Sequence, residues 1–152
     1  MIQVLFRRGL FFIGLACGFL ALNEVQAQDK SLWKILANVT YGTRQDPEMG
    51  FEVEYPIFGE ETNSWEGKEV VVKGYMIPLE ELTGQNYFVL SQFPYNMCFF
   101  CGGAGPETVM EVYTKKEIEY RESPIRIKGK LKLNDGDFNH LMYILENAEQ
   151  VE

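Results

Sequence analysis

The segment that most constrains the fold is residues 125–133, where apolar and basic residues alternate. Apolar residues and one glycine occupy the odd positions, while Arg126 and three lysines occupy the even ones. Because successive side chains of a strand point to opposite faces, the alternation predicts a half-buried strand with a basic outer face. Such a strand needs neighbours to pair with, so the rest of the chain must supply a sheet.

Four further segments carry strand patterns, at residues 70–78, 87–91, 108–114 and 142–151. The first contains Gly74 in its middle, and a glycine inside a strand often marks a bend or bulge where the strand curls. Five short antiparallel strands with a bent first strand predict a mainly β domain. Its expected form is a small, partly open barrel of the OB-fold type, with a β-sandwich as the alternative.

The N-terminal part of this domain has weaker patterns. Apolar residues at helical spacing predict a short amphipathic helix over residues 31–40, with Ser31 as its capping residue. Residues 41–63 look irregular, apart from an alternating piece at 51–55 that is typical of an edge strand. Residues 134–140 are expected to form a turn before the last strand.

The first 27 residues have the pattern of a secretory signal peptide. Arg7 and Arg8 precede an apolar run, and Val-Gln-Ala at 25–27 resembles a cleavage site. The apolar run is shorter than the roughly 18 to 20 residues that span a bilayer, which disfavours the alternative of a retained membrane anchor. We therefore expect a protein exported to the periplasm or beyond, with residues 28–152 forming a single domain and no membrane span after cleavage.

Cys17 raises the alternative of a lipid anchor, since a cysteine in a signal sequence can be the site of lipid attachment. The apolar run continues past Cys17 as far as Leu22. A lipid-attachment cysteine normally ends that run, so we expect Cys17 to be removed with the signal peptide.

The charge balance excludes one class of partner. The chain of 152 residues has 22 acidic and 14 basic residues, for a formal net charge of −8. An acidic surface repels phosphate backbones and anionic lipid headgroups. Nucleic-acid binding is therefore not expected.

The most specific chemical feature is a Cys-x-x-Cys pair, Cys98 and Cys101, followed by Gly102, Gly103 and Gly105. Two intervening residues allow both sulfurs to face one point, and the glycines allow the backbone to turn sharply around them. In an oxidising compartment the pair could form a structural disulfide. It could equally hold a metal ion, and both interpretations remain open at this stage.

A metal site would need further ligands. Met97 is a soft donor next to Cys98, and His140 is the only histidine, while Glu107 and Glu111 lie near the pair in sequence. Two thiolates with a thioether suit copper(I), whereas two thiolates with an imidazole and a carboxylate suit zinc. The sequence does not assemble either set completely.

A third interpretation is a thiol oxidoreductase. Thioredoxin-like sites place Cys-x-x-Cys at the start of a helix, whose dipole lowers the pKa of the first thiol. Here the glycines, Pro106 and the strand pattern of 108–114 predict that no helix follows. A structural or metal-binding pair is therefore favoured.

Three motifs occur in an order that resembles an uncharacterised family of small exported bacterial proteins. They are Gly-Tyr-x-x-Pro-Leu at 74–79, a cysteine-bearing loop at 98–103 and a strand that leads from proline at 106–112. The resemblance covers about residues 65–133. It implies an OB-like accessory protein, with no enzymatic activity to carry over and with a metal at the cysteines. Other branches of the family carry one loop cysteine with a histidine, so any ligand set in this chain would differ.

Together these observations predict an exported, non-enzymatic binding or accessory domain. Its expected partner is a metal ion, zinc or copper, or another envelope protein. One alternative is a periplasmic thiol oxidoreductase with Cys98 as the attacking thiolate. Another is an interaction module in which a Cys98–Cys101 disulfide braces an aromatic surface.

Overall fold

A computed structural model describes residues 29–47, 50–77 and 85–152. The predicted signal peptide, Cys17, and the Pro-Leu end of the first motif lie outside these ranges. Within them, no helix has the length and apolar character needed to cross a membrane. The helices and strands are α1 (Asp29–Leu36), β1 (Val39–Gln45), β2 (Glu52–Phe58), α2 (Glu60–Asn63), β3 (Glu69–Ile77), β4 (Gln85–Ser91), β5 (Val109–Ile118), β6 (Ile125–Leu133) and β7 (Tyr143–Val151).

Five of the strands form a closed barrel in the order β3-β4-β5-β7-β6. The β5–β7 pair is parallel, and the other pairs are antiparallel. Counted within the barrel, the order is first, second, third, fifth, fourth, which is the strand order of the OB-fold. The predicted mainly β, OB-like barrel is therefore confirmed, but pairing of β3 with β6 closes it, so it is not partly open, and one of its strand pairs is parallel rather than antiparallel. The sandwich alternative is not observed.

Gly74 lies where β3 changes partner. Residues 69–74 of this strand pair with β6, whereas residues 75–77 pair with β4. A Cβ atom on Gly74 would lie 2.5 Å from the carbonyl oxygen of Ser91, in the backbone of β4. The strand can turn from one neighbour to the other because no side chain stands between the two backbones.

The barrel interior is filled by alternate residues of its strands. Helix α1 packs against the barrel and adds Leu32, Trp33 and Leu36 to the same buried cluster. The Trp33 indole donates a hydrogen bond to the carbonyl of Lys73 at 2.8 Å, and the buried Tyr143 hydroxyl donates to the carbonyl of Leu36 at 2.5 Å. The predicted helix therefore exists, but it ends at Leu36, because a turn at Ala37 and Asn38 leads directly into β1.

Replacing Tyr143 with phenylalanine is expected to lower the free energy of unfolding by about 1–2 kcal/mol. The substitution keeps the ring but leaves the Leu36 carbonyl at the helix end without its donor. Urea unfolding followed by circular dichroism would measure the change, with Tyr95→Phe as a control on an exposed ring. If Tyr143→Phe lowers the free energy of unfolding no more than Tyr95→Phe does, the hydrogen bond contributes nothing to stability.

The strand predicted at residues 51–55 is confirmed as part of β2, whereas the prediction that the rest of 41–63 is irregular is wrong for most of that segment. Strands β1 and β2 form a separate two-stranded antiparallel sheet, whose register runs from Val39 opposite Phe58 to Gln45 opposite Glu52. Every residue of the two strands is exposed or half-buried. Because the sheet buries little apolar surface, its sequence lacks the strong alternation that identified the barrel strands.

Strand β7 contains a bulge that affects both of its neighbours. The registers of the β5–β7 and β6–β7 pairs both shift by one residue, and both shifts include Asn147. Asn147 has a φ of 53°, and it is the one residue other than glycine with positive φ in the described ranges. Tyr143 and Leu145 point into the barrel before the bulge, and Ala148 does so after it. The extra residue thus moves the inward positions from odd to even numbers.

Candidate functional site

The cysteine-bearing loop packs against the outer wall of the barrel. Residues 92–108 connect β4 to β5. They contain three short 3₁₀ turns, at Tyr95–Met97, Phe99–Cys101 and Pro106–Thr108. The predicted absence of a long helix after the cysteines is confirmed, because β5 begins directly after the third turn.

Cys98 fills a small apolar cluster that is separate from the barrel core. Its neighbours there are Ile77, Val89 and Val109, one from each of three adjacent strands, and Cys98 itself is 0% exposed. These three side chains point outward, since the residues beside them in β3, β4 and β5 belong to the interior cluster. The sequence did not predict this burial of Cys98. Its side chain is covered because the loop folds back onto the sheet.

The two thiols are nevertheless adjacent. Both are free and Cys101 is exposed, and the Cys98 thiol is near enough to raise the pKa of the Cys101 thiol. The Cys98 carbonyl accepts hydrogen bonds from the backbone N–H groups of Cys101 at 3.1 Å and Gly103 at 3.2 Å. This tight turn brings one buried and one accessible sulfur to the same place.

The protonation of the pair bears on the oxidoreductase alternative. Partial desolvation raises the pKa of the Cys101 thiol, and the neighbouring Cys98 thiol raises it further. A nucleophilic cysteine needs a lowered pKa and access to its substrate. Cys101 is accessible, but its pKa is raised rather than lowered. Cys98, the attacking thiolate of this alternative, is buried and has no access to a substrate.

Two of the three predicted loop-shaping glycines have clear backbone reasons. Gly102 ends the second 3₁₀ turn with a φ of 73°, a conformation that disfavours other residues. A Cβ atom on Gly103 would lie 2.6 Å from the carbonyl oxygen of Met97. Gly105 is less constrained, because a side chain there would meet the flexible carboxylate of Glu107.

The other predicted ligands take different positions. Met97 is 53% exposed beside Cys98. His140 lies in the turn after β6, where its Nδ1 atom is 2.9 Å from a carboxylate oxygen of Glu111. No group of three or more histidine, cysteine, aspartate or glutamate residues that could hold a metal occurs in the described part of the chain. The structure therefore does not gather His140 and both cysteines into one such group.

Glu111 is a site residue whose surroundings the sequence did not reveal. Its side chain is 4% exposed, although it points outward from β5. Besides the His140 contact, its carboxylate accepts hydrogen bonds from the Tyr113 hydroxyl at 2.9 Å and the Leu141 backbone N–H at 2.8 Å. The sequence did contain one indication of this site. Glu111 stands within the otherwise apolar run 109–112, and a carboxylate buried there needs hydrogen-bonding partners.

A shallow groove of about 480 Å³ lies beside this network. Its lining residues are Tyr113, Lys132, His140, Ile144, Glu146 and Asn147. The Tyr113 ring stacks on Tyr87 with 4.7 Å between centroids, and burial together with the Glu111 hydrogen bond strongly raises the pKa of Tyr113. The tyrosine is therefore a neutral hydrogen-bond donor at physiological pH.

Comparisons with known proteins give little further information. No family model and no curated protein matches the chain. Among solved structures, the chain is similar to the crystal structure of a DUF3299 family protein from Pseudomonas aeruginosa, with 21% identity and a TM-score of 0.44. The match covers 59% of this chain and 64% of that one, which is less than two thirds of its length. That neighbour belongs to a domain of unknown function, and at this level of similarity it supports no argument about what the present chain does.

Proposed function

We propose that the protein is an exported, non-enzymatic accessory domain that binds one copper(I) ion between Cys98 and Cys101. The observation that carries the proposal is the adjacency of two free thiols, held by a turn of four residues. Two thiolates on one turn can bind a soft ion from opposite sides. Export is proposed from the signal-like pattern of residues 1–27.

Copper(I) suits this arrangement better than zinc. Soft thiolate and thioether ligands select copper(I), and this ion accepts two or three ligands. A structural zinc site usually needs four, and the described residues offer no group of three histidine, cysteine or acidic ligands. Met97 is close in sequence and half-exposed, so its thioether is the natural candidate for a third ligand.

The different exposure of the two sulfurs suits a protein that holds an ion and passes it on. Cys98 is enclosed by apolar side chains, which keep water away from one side of the bound ion. Cys101 faces solvent, where another protein can approach. We therefore propose an envelope protein with soft ligands of its own as the source or recipient of the metal.

The test begins with the state of the cysteines in the cell. Thiols are blocked with N-ethylmaleimide during lysis, the mature protein is purified from the periplasm, and mass spectrometry counts the modified cysteines. Metal content is measured on an unblocked sample. Anaerobic titration of the reduced protein with copper(I), in competition with bathocuproine disulfonate, then gives the stoichiometry and affinity.

We expect two free thiols and one copper(I) ion per chain. A disulfide that glutathione cannot reduce would instead support a structural role for the pair in an interaction module. A disulfide that cycles readily with glutathione, with no copper bound, would support the oxidoreductase alternative. Either of these last two outcomes contradicts the proposal.

A further inference from the structure

Two partly buried side chains, from different places in the chain, pack against the cluster that contains Cys98. Phe99, from the cysteine-bearing loop, and Leu141, from the turn between β6 and β7, pack against the apolar cluster that contains Cys98. Leu141 is remote in sequence from the cysteines. Whatever holds Leu141 in place therefore also helps to determine whether Cys98 stays enclosed.

Leu141 is tied to the barrel by Glu111. One carboxylate oxygen accepts the Leu141 backbone N–H at 2.8 Å, and the other lies 2.9 Å from Nδ1 of His140. Glu111 follows Val109 by two residues on the outward side of β5, and Val109 is itself part of the Cys98 cluster. One buried carboxylate thus fastens two consecutive residues of the turn beside the cluster that Leu141 covers.

The turn is braced internally by another side chain. The Asn134 amide donates hydrogen bonds to the carbonyls of Asp137, His140 and Leu141, at 2.7, 3.2 and 3.2 Å. These bonds lie within the turn. If the Glu111 contacts are lost, we therefore expect the turn to shift as a unit, taking Leu141 with it.

We propose that Glu111 is a positioning residue that keeps Leu141 over the Cys98 cluster and so controls access to the buried thiol. This control of access matters for function because Cys98 is proposed above to be a metal ligand, and the inference rests on that proposal. An ion or a competing thiol reaches Cys98 only when the turn moves away, and the Glu111 hydrogen bonds set how often this happens. The exposure of Cys98 can be measured without any metal.

The experiment measures the alkylation rate of Cys98 by iodoacetamide in the native, reduced protein. The background carries Cys101→Ser, and mass spectrometry assigns the label to Cys98. We expect Glu111→Ala to increase the rate at least tenfold. Glu111→Gln should give a smaller increase, because the amide oxygen can still accept the Leu141 N–H. Glu146→Gln is the matched control, since Glu146 lines the adjacent groove and pairs with Lys132 rather than with the turn.

Low concentrations of urea distinguish local movement of the turn from general destabilisation. Local opening exposes little surface, so the faster labelling should hardly depend on urea, whereas global unfolding should depend on it strongly. An unchanged rate in both Glu111 variants, or an increase fully explained by global unfolding, would overturn the inference.

The outcome is separable from that of the copper titration. Faster labelling of Cys98 in a protein that binds no copper would leave the role of Glu111 intact and remove the proposed function. Copper binding by the cysteine pair, with normal labelling in the Glu111 variants, would support the proposed function and remove the role of Glu111.

Discussion

Replacing Gly74 with alanine is expected to lower the free energy of unfolding by roughly 3 kcal/mol. The new Cβ atom would lie 2.5 Å from the Ser91 carbonyl oxygen and 2.9 Å from Cγ of Leu90, closer than real Cβ contacts allow. The nearest obstacle is backbone, so the clash cannot be relieved by rotating a side chain. Strand β4 would have to move away at the first of its pairs with β3, Tyr75 opposite Ser91.

Urea unfolding of the variant, followed by far-ultraviolet circular dichroism, would measure this loss. Gly136→Ala is the matched control, because its added methyl group would meet only the end of the Arg44 side chain, at 3.4 Å. We expect the control to change the stability by less than about 0.5 kcal/mol. Equal effects of the two substitutions would show that the close approach of β3 and β4 is not a constraint on the barrel.

The second large effect is expected on metal binding. Replacing Cys101 with serine should reduce the copper(I) affinity by more than about 100-fold, because it removes one of two thiolates, whereas the loss of an outer-shell contact typically costs 10- to 100-fold. Cys101 is exposed, so the substitution should leave the stability of the fold nearly unchanged. The loss of affinity can therefore be attributed to the ligand.

Met97→Leu serves as the comparison in the same titration. It removes the thioether from an exposed side chain and keeps both thiols. We expect a smaller loss than for Cys101→Ser if the sulfur of Met97 completes the shell, and no loss if two thiolates are sufficient. Undiminished copper binding by Cys101→Ser would mean that the ion binds elsewhere.

The barrel could be predicted because its strands carry their own signals. The strand predicted at residues 125–133 is confirmed with the same bounds, since each of its apolar residues faces the interior or its margin. Gly74 was informative because a glycine in a β-branched strand is costly unless the backbone needs it. Of the β1–β2 sheet only part of β2 could be recognised, at residues 51–55, because the residues of this sheet are never deeply buried.

The candidate site was only partly predictable. Cys98 and Cys101 are close in sequence, so their proximity follows from the length of the turn. The burial of Cys98 depends on a loop that folds onto the outside of its own sheet, and no local pattern encodes this. The contact between Glu111 and His140 joins residues 29 positions apart, and it exists only because the barrel places β5 beside the turn that follows β6.

The unusual backbone at Asn147 marks the one extra residue that the last strand carries against both of its neighbours. Removing this residue would shorten β7 by one position against two neighbours at once, since both ladders are offset at the same point. Leu145 and Ala148 would then stand two positions apart, so regular alternation would keep Ala148 in the interior beside Gly129, where its Cβ already comes close. We conclude that deletion of Asn147 would remove the offset without exchanging the inside and the outside of the final segment, whereas substitutions at Asn147 would at most strain one pair of dihedral angles.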